Sequence, residues 1–290
     1  MADATIAMSR PVERLAPRRN QRDRRVTRHL FRAIVIVYLA MLIAWPLGLI
    51  ARTTFADGLT SLRETLDDPV VTHAIWLTVR VAMITVALDL VFGVGVSLLL
   101  VRYRFRGRRV LSALIDLPLS VSPVVVGLAL VLAYGGRTGW FGESLEGAGI
   151  QVIFATPGIV MATVFVSLPL VVREVVPVLE EIGTEQEQAA HSLGASSLQT
   201  FLRITLPAIK WAVVYGVVLS LARALGEFGA VKIVSGNLVN KTQTATLVVE
   251  QKYQDFEQST AYATSFLLAL AAVICIIIVA VLRPTESEPR

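Results

Sequence analysis

The sequence predicts an all-α integral membrane protein of six spans, on three observations. Its 290 residues are 54% hydrophobic and only 17% charged, too apolar for an ordinary soluble domain. The apolar residues gather into blocks of about the ~20 residues needed to cross a bilayer, near 31–51, 74–101, 110–134, 153–172, 208–235 and 261–282. The basic residues between those blocks alternate in density, as positive-inside topology requires.

Taken in order, residues 1–30 hold eight Arg against Asp3, Glu13 and Asp23, with Pro11 and Pro17. They read as a disordered basic tail, drawn to anionic lipid at the cytoplasmic face rather than to nucleic acid. The block that follows lacks a small-x-small cleavage site, so it is a retained span and not a signal peptide. Together with an outward loop it occupies 31–72, ahead of a core at 73–283 and a tail at 284–290. Loop 102–109 carries five Arg and no acid, whereas 52–72 carries two Arg against four acids and 135–152 one Arg against two Glu. The first loop is therefore cytoplasmic and the other two face outward. Six spans then leave both termini in the cytoplasm.

Inside the spans, prolines and charges carry the information. Pro118 and Pro123 in the third block, and Pro157 and Pro169 in the fourth, each remove a backbone donor and favour bends of the kind that line translocation paths. Ionisable residues in a span point to function by default, and Arg80, Asp89, Asp116, Arg223 and Glu227 are such residues. Arg80 and Asp89, nine residues apart, fall on opposite helix faces and cannot pair. Arg223 and Glu227, at i and i+4, share a face; they form a structural ion pair, or Arg223 lines an anion pathway that Glu227 tunes. The candidate pathway set is Arg80, Pro118, Pro123, Arg223 and Glu227. Gly93-Val94-Gly95 reads as small-residue helix packing, and Cys275, the one cysteine, as a packing residue.

Chemistry within the chain is disfavoured. No Gly-Lys pair exists, so no P-loop can hold a nucleoside triphosphate. His29, His73 and His191 are scattered without a carboxylate at ligand spacing, which disfavours a metal site, and no catalytic constellation is present.

The polar stretch EQAAHSLGASSLQTFLRITLP at 187–207 is water-compatible yet lies between membrane blocks, the mark of an element that meets a partner. Thr184 with Glu187 forms a capping box for a first short helix, and Gly194 supplies its left-handed stop. Ser196 with Gln199 starts a second helix, and Pro207 closes the unit. Leu193, Leu198, Phe201 and Leu202 form an apolar knob around the bend. The spacing Ala189-Ala190, three residues, Gly194, nine residues, Ile204, one residue, Leu206-Pro207 resembles the EAA loop of ABC importer permeases, here within 184–207; the family's Glu stands as Gln188, with Glu187 beside it. The resemblance implies docking into a cleft of an ATPase subunit through Glu187, Gln188, Ala189, Ala190, Leu193, Gly194, Leu198, Phe201, Ile204 and Pro207.

Two further stretches, YRFRGRRVLSALIDLPLSVSPVVVGLAL at 103–130 and LARALGEFGAVKIVSGN at 221–237, resemble the oxyanion branch of that family, and in particular the W-type permeases of sulfate/thiosulfate importers. This implies a type-I importer transmembrane domain in the cytoplasmic (inner) membrane, an added N-terminal span ahead of five core helices. The implied partners are a T-type paralogous permease, two ATPase subunits and an extracytoplasmic sulfate-binding protein. ATP and Mg would sit on the ATPase, with no cofactor in this chain and no nucleic-acid partner. Molybdate or tungstate remains an alternative substrate. A secondary anion carrier is a different class, and it would be expected to show paired repeats that the two halves here lack.

Overall fold

The computed structural model describes residues 21–56, 58–136 and 139–282; the rest of the expected basic tail and the 284–290 tail lie outside the described residues. Every regular element among them is helical. The chain divides between Leu49 and Ile50 into two compact units, and residues 50–72 group with the core. α1 (Gln21–Leu39) and a π-helical turn (Ala40–Ala44) lie in the first unit, and α2 (Trp45–Thr54) carries the division within it. Residues 21–30, expected to be disordered, are helical, because the apolar span that follows them propagates helix backward without a breaker.

The second unit opens with α3 (Thr60–Asp67) and α4 (Pro69–Arg102). Asp68 sets the start of α4: its carboxylate accepts the Val70 N–H at 2.8 Å, and Pro69 occupies the first turn, where no donor is needed. The third expected span is broken into α5 (Arg108–Ser120) and α6 (Pro123–Tyr134), bent by 115°. The bend falls at Val121 and Ser122, both non-helical, because Pro123 pushes the residue before it out of helical geometry; Pro118 stays inside α5. After the short α7 (Gly142–Gly147), α8 (Thr156–Ile182) runs ten residues beyond the expected 153–172.

Next come α9 (Glu185–Ser192), α10 (Ser197–Thr200), a second π-helical turn (Phe201–Thr205), α11 (Leu206–Leu225), α12 (Gly229–Ser235), α13 (Ala245–Gln254) and α14 (Gln258–Leu282). The expected span at 208–235 is therefore two helices. The break follows from Glu227, whose carboxylate takes the Ala230 N–H at 3.0 Å and so caps α12 from inside the apolar run.

Two apolar clusters fix the direction of the central helices. Leu77 and Val81 of α4 pack with Ile159, Val160 and Ala162 of α8, beside Val231 and Val234 of α12. Farther along both helices, Val94 packs with Val171, Val175 and Leu179, joined by Ile209, Ala212 and Val213 of α11. Thus α4 and α8 run parallel, and α11 runs against them. The three approach closely at Val171: a Cβ on Gly93 would lie 2.7 Å from its Cγ1, and one on Gly216 2.9 Å from its Cα. Small residues at a helix contact give van der Waals packing, which in a bilayer must replace the hydrophobic effect. Gly95, the other glycine of the expected packing pair, meets nothing within 4 Å. Cys275 is buried beside Ala82, Ala224 and Leu225, in keeping with packing.

Polar ties complete the unit. Thr78 of α4 accepts the Ala245 N–H that opens α13, at 2.9 Å. Lys252 bridges Glu257 at 2.7 Å and Asp68 at 3.3 Å; the bond to Glu257 first, and then Asp68, hold its ammonium pKa above the usual value against the opposing effect of burial.

Candidate functional site

The loop after α8 is built as two short helices joined by a left-handed turn. Gly194 has φ +85°; its N–H donates to His191 O at 3.0 Å, and the Ala195 N–H donates to Ala190 O at 3.0 Å. This pair of bonds is a Schellman end. The second helix opens on the expected box, with the Gln199 N–H donating to Ser196 Oγ at 3.3 Å and the Ser196 N–H to Gln199 Oε1 at 3.0 Å.

Three local expectations for this loop are corrected. The Thr184 side chain caps no backbone N–H; its hydroxyl accepts the Gln188 amide at 3.0 Å. Glu187 turns inward instead. Thr205 Oγ1 donates to Glu187 Oε1 at 2.7 Å, Arg102 Nη2 donates to the same oxygen at 3.1 Å, and Arg102 Nε lies 2.9 Å from Oε2. A charge-assisted bond from a guanidinium, with a hydroxyl beside it, outweighs one backbone N–H. Secondly, Pro207 does not close the unit. The wider π turn carries the chain into α11, where Pro207 sits in the first turn and its missing donor costs little. Thirdly, Phe201 is not part of the knob, for it packs on the cluster around Val171 and Ile209. Leu193, Leu198 and Leu202 do protrude, at 89%, 66% and 50% exposure, an apolar set with no cover among the described residues. Ala189 is exposed, and Ala190 and Ile204 half-buried.

The Arg102 guanidinium also reaches back into the bundle, Nη1 donating to Leu179 O at 3.0 Å. With 11% of the Arg102 side chain and 17% of the Glu187 side chain exposed, the pair is largely screened from water. Its local sequence signal was the Arg-rich loop; nothing nearby in the chain announces a partner 85 residues on.

Of the candidate pathway residues, Arg223 and Glu227 are paired, Nη1 to Oε2 at 2.6 Å. Glu227 is not in the helix of Arg223: it follows α11, with its side chain 2% exposed against 35% for Arg223, and Thr246 Oγ1 donates to its backbone carbonyl at 2.8 Å. Two residues on, a Cβ on Gly229 would lie 3.1 Å from Pro123 Cβ, so the break after α11 and the bend before α6 meet. Pro118 is buried within α5. Arg80 stands apart on an exposed face of α4, its guanidinium 5.8 Å from the Trp76 ring centroid. Asp116 pairs with Arg173 of α8 at 3.0 Å. The fully buried Asp89, on the face of α4 opposite Arg80, accepts Ser167 Oγ of α8 at 2.5 Å and Ser220 Oγ of α11 at 2.6 Å. Neither serine stood out in the sequence.

A helical bundle with several apolar spans defines a multi-pass membrane protein. Residues 89–285 match the family described as binding-protein-dependent transport system inner membrane component, and the chain belongs to that family. It is 46% identical over 250 residues to the sulfate transport system permease protein CysW of Synechococcus elongatus, covering 86% of this chain and 87% of that one. The CysW of Escherichia coli is 43% identical over 244 residues, 84% of each chain, and the CysT of the same organism 36% identical over 239 residues, 82% of this chain and 86% of that one. A crystal structure of a bacterial ABC transporter involved in alginate import has the same fold, with TM-score 0.74 and 15% identity over 93% of this chain and all of the other.

Proposed function

We propose that this chain is the CysW-like permease subunit of an ATP-driven importer that moves sulfate, and thiosulfate, across the cytoplasmic membrane. The geometric observation that carries the importer reading is the loop from α9 to α10, a hydrogen-bonded bend that leaves Leu193 and Leu198 exposed while Glu187 on its inner side is bonded to the spans. The substrate follows from the similarity to CysW permeases along most of both chains.

In this reading the loop residues Glu187 to Pro207 couple the chain to one of two ATPase subunits, where ATP and Mg reside. A CysT-like paralogue forms the other half of the membrane unit, and an extracytoplasmic sulfate-binding protein delivers the anion. The Arg-rich loop 102–109, the coupling loop and both termini lie in the cytoplasm. ATP-driven closure of the ATPase pair moves the loop, and the bundles rock between outward-facing and inward-facing states. The contact between Pro123 and Gly229, beside Arg223 and Glu227, is the proposed place where the anion passes.

Deleting this chain from its host is expected to abolish high-affinity uptake of labelled sulfate and to make growth depend on a reduced sulfur source. Sulfate uptake at the wild-type rate with molybdate uptake lost would refute the substrate while leaving the importer standing.

A further inference from the structure

We propose that Arg102 and Glu187 form a positioning lock that makes the coupling loop move as one body with α4 and α8, so that Glu187 serves inside this chain and not on the partner's surface. The inference rests on the reading of the loop as the coupling element.

Helix α9 hangs between two left-handed glycines, Gly183 at φ +63° and Gly194 at φ +85°, neither with an atom within 4 Å of where a Cβ would stand. At both points the chain turns on a residue with no side chain to pack against the spans. A push on Leu193 would therefore turn α9 about its ends unless a side chain ties it to the spans. Among the described residues, Glu187 makes the one ion pair from α9 to the bundle.

The tie has the geometry to transmit force. Arg102 is the last residue of α4, and its guanidinium holds Glu187 through two nitrogens and α8 through the Leu179 carbonyl. Thr205, in the π turn before α11, donates to the same carboxylate. Four elements thus converge on two side chains. The other cross-link nearby, Arg108 to Glu180 at 3.5 Å, has side chains 42% and 55% exposed and is too well solvated to replace it. Oε1 of Glu187 accepts two hydrogen bonds within the chain and Oε2 lies 2.9 Å from Arg102 Nε, with 17% of the side chain exposed, which leaves little of the carboxylate for a cation on the ATPase. Gln188 is exposed and directs its amide to Thr184.

The test uses the complete complex with its binding protein in proteoliposomes, measuring sulfate imported per ATP hydrolysed. Glu187→Gln and Arg102→Gln are expected to keep the ATPase subunits through purification and to lower that ratio roughly ten-fold, the scale of an ordinary coupling free energy. The exchanged pair, Arg102→Glu with Glu187→Arg, should recover part of the loss. Thr205→Val, which removes one hydroxyl at nearly constant volume, should give a smaller drop in the same ratio. An unchanged ratio in the single variants overturns the lock. So does loss of the ATPase from Glu187→Gln but not from Arg102→Gln, which would put Glu187 at the partner's surface. Should the charge variants fail to reach the membrane, Thr205→Val decides alone, an unchanged ratio overturning the proposal. Leu193→Asp separates the two readings: retention of the ATPase with normal import would show that the loop does not couple at all.

Discussion

Gly93 and Gly95 stand two residues apart on α4 and differ completely in what they face. A methyl group on Gly93 would meet Val171 at 2.7 Å, whereas one on Gly95 would meet nothing within 4 Å. Gly93→Ala is therefore expected to destabilise the bundle by about 1–3 kcal/mol, the usual scale of overpacking. Gly95→Ala should be neutral or slightly stabilising, since alanine is the better helix former. Thermal unfolding of the detergent-purified complex checks the contrast; equal effects would remove Val171 as the contact point. The motif was legible as small-residue packing, but residues two apart point about 200° from each other around a helix, and only the neighbour decides which glycine it needs. Gly194 was legible outright, because a left-handed helix end is set by local sequence. With open space around it, Gly194→Val costs only backbone strain, about 1–2 kcal/mol. Transport should fail while the protein remains in the membrane at wild-type amount, as immunoblots beside uptake would record. Glu187 was misread as a cap for the converse reason: its partner, Arg102, is distant in sequence, and local grammar has no term for it.

At the level of helices, the break after α11 is where local reading and structure part most. An apolar run from 208 to 235 reads as one span, yet Gly226 is among the poorest helix formers and Glu227 satisfies the Ala230 N–H. The i, i+4 pairing of Arg223 and Glu227 was legible, but not that the second partner lies outside the helix. The consequence is an asymmetry. Removing the Glu227 side chain leaves the Ala230 N–H without its acceptor and takes the partner from a half-exposed guanidinium, a cost of about 1–3 kcal/mol for the buried donor alone. Removing Arg223, which is 35% exposed, leaves Glu227 still bonded to Ala230. Glu227→Ala is thus expected to lower the yield of assembled complex more than Arg223→Ala does, with the double variant no worse than Glu227→Ala alone. If instead Arg223→Ala assembles fully and loses sulfate uptake that Glu227→Ala cannot restore, the pair belongs to the anion path. The bend in the third span shows the same limit. Two prolines were visible in the sequence. The non-helical pair Val121 and Ser122, directly between the two helices, makes Pro123 the first residue of α6 and leaves Pro118 inside α5.

Across the whole molecule, the parallel run of α4 and α8 decides how many times the chain crosses. Leu77 lies with Ile159 in one cluster and Val94 with Val175 in the other, and Arg102 at the end of α4 is bonded to Leu179 near the end of α8. The chain that leaves α4 must therefore return to the opposite end of the bundle before α8 begins. Only α5, α6 and the short segment after them are available for that return, so the bent pair acts as a crossing and not as a loop that re-enters and leaves on one side. The Arg count had reached the same alternation by a separate route, from charge alone, although the acidic coupling loop could be placed only by counting spans. The two routes agree on a sharp expectation. In a Cys275→Ser background, cysteines placed singly at Arg106 and Glu143, both exposed, should fall on opposite sides of the membrane, with only position 143 labelled by an impermeant thiol reagent added to intact cells. Labelling at both positions would make the bent pair re-entrant, and α4 and α8 would then have to be antiparallel, against the packing that holds Arg102 beside Leu179.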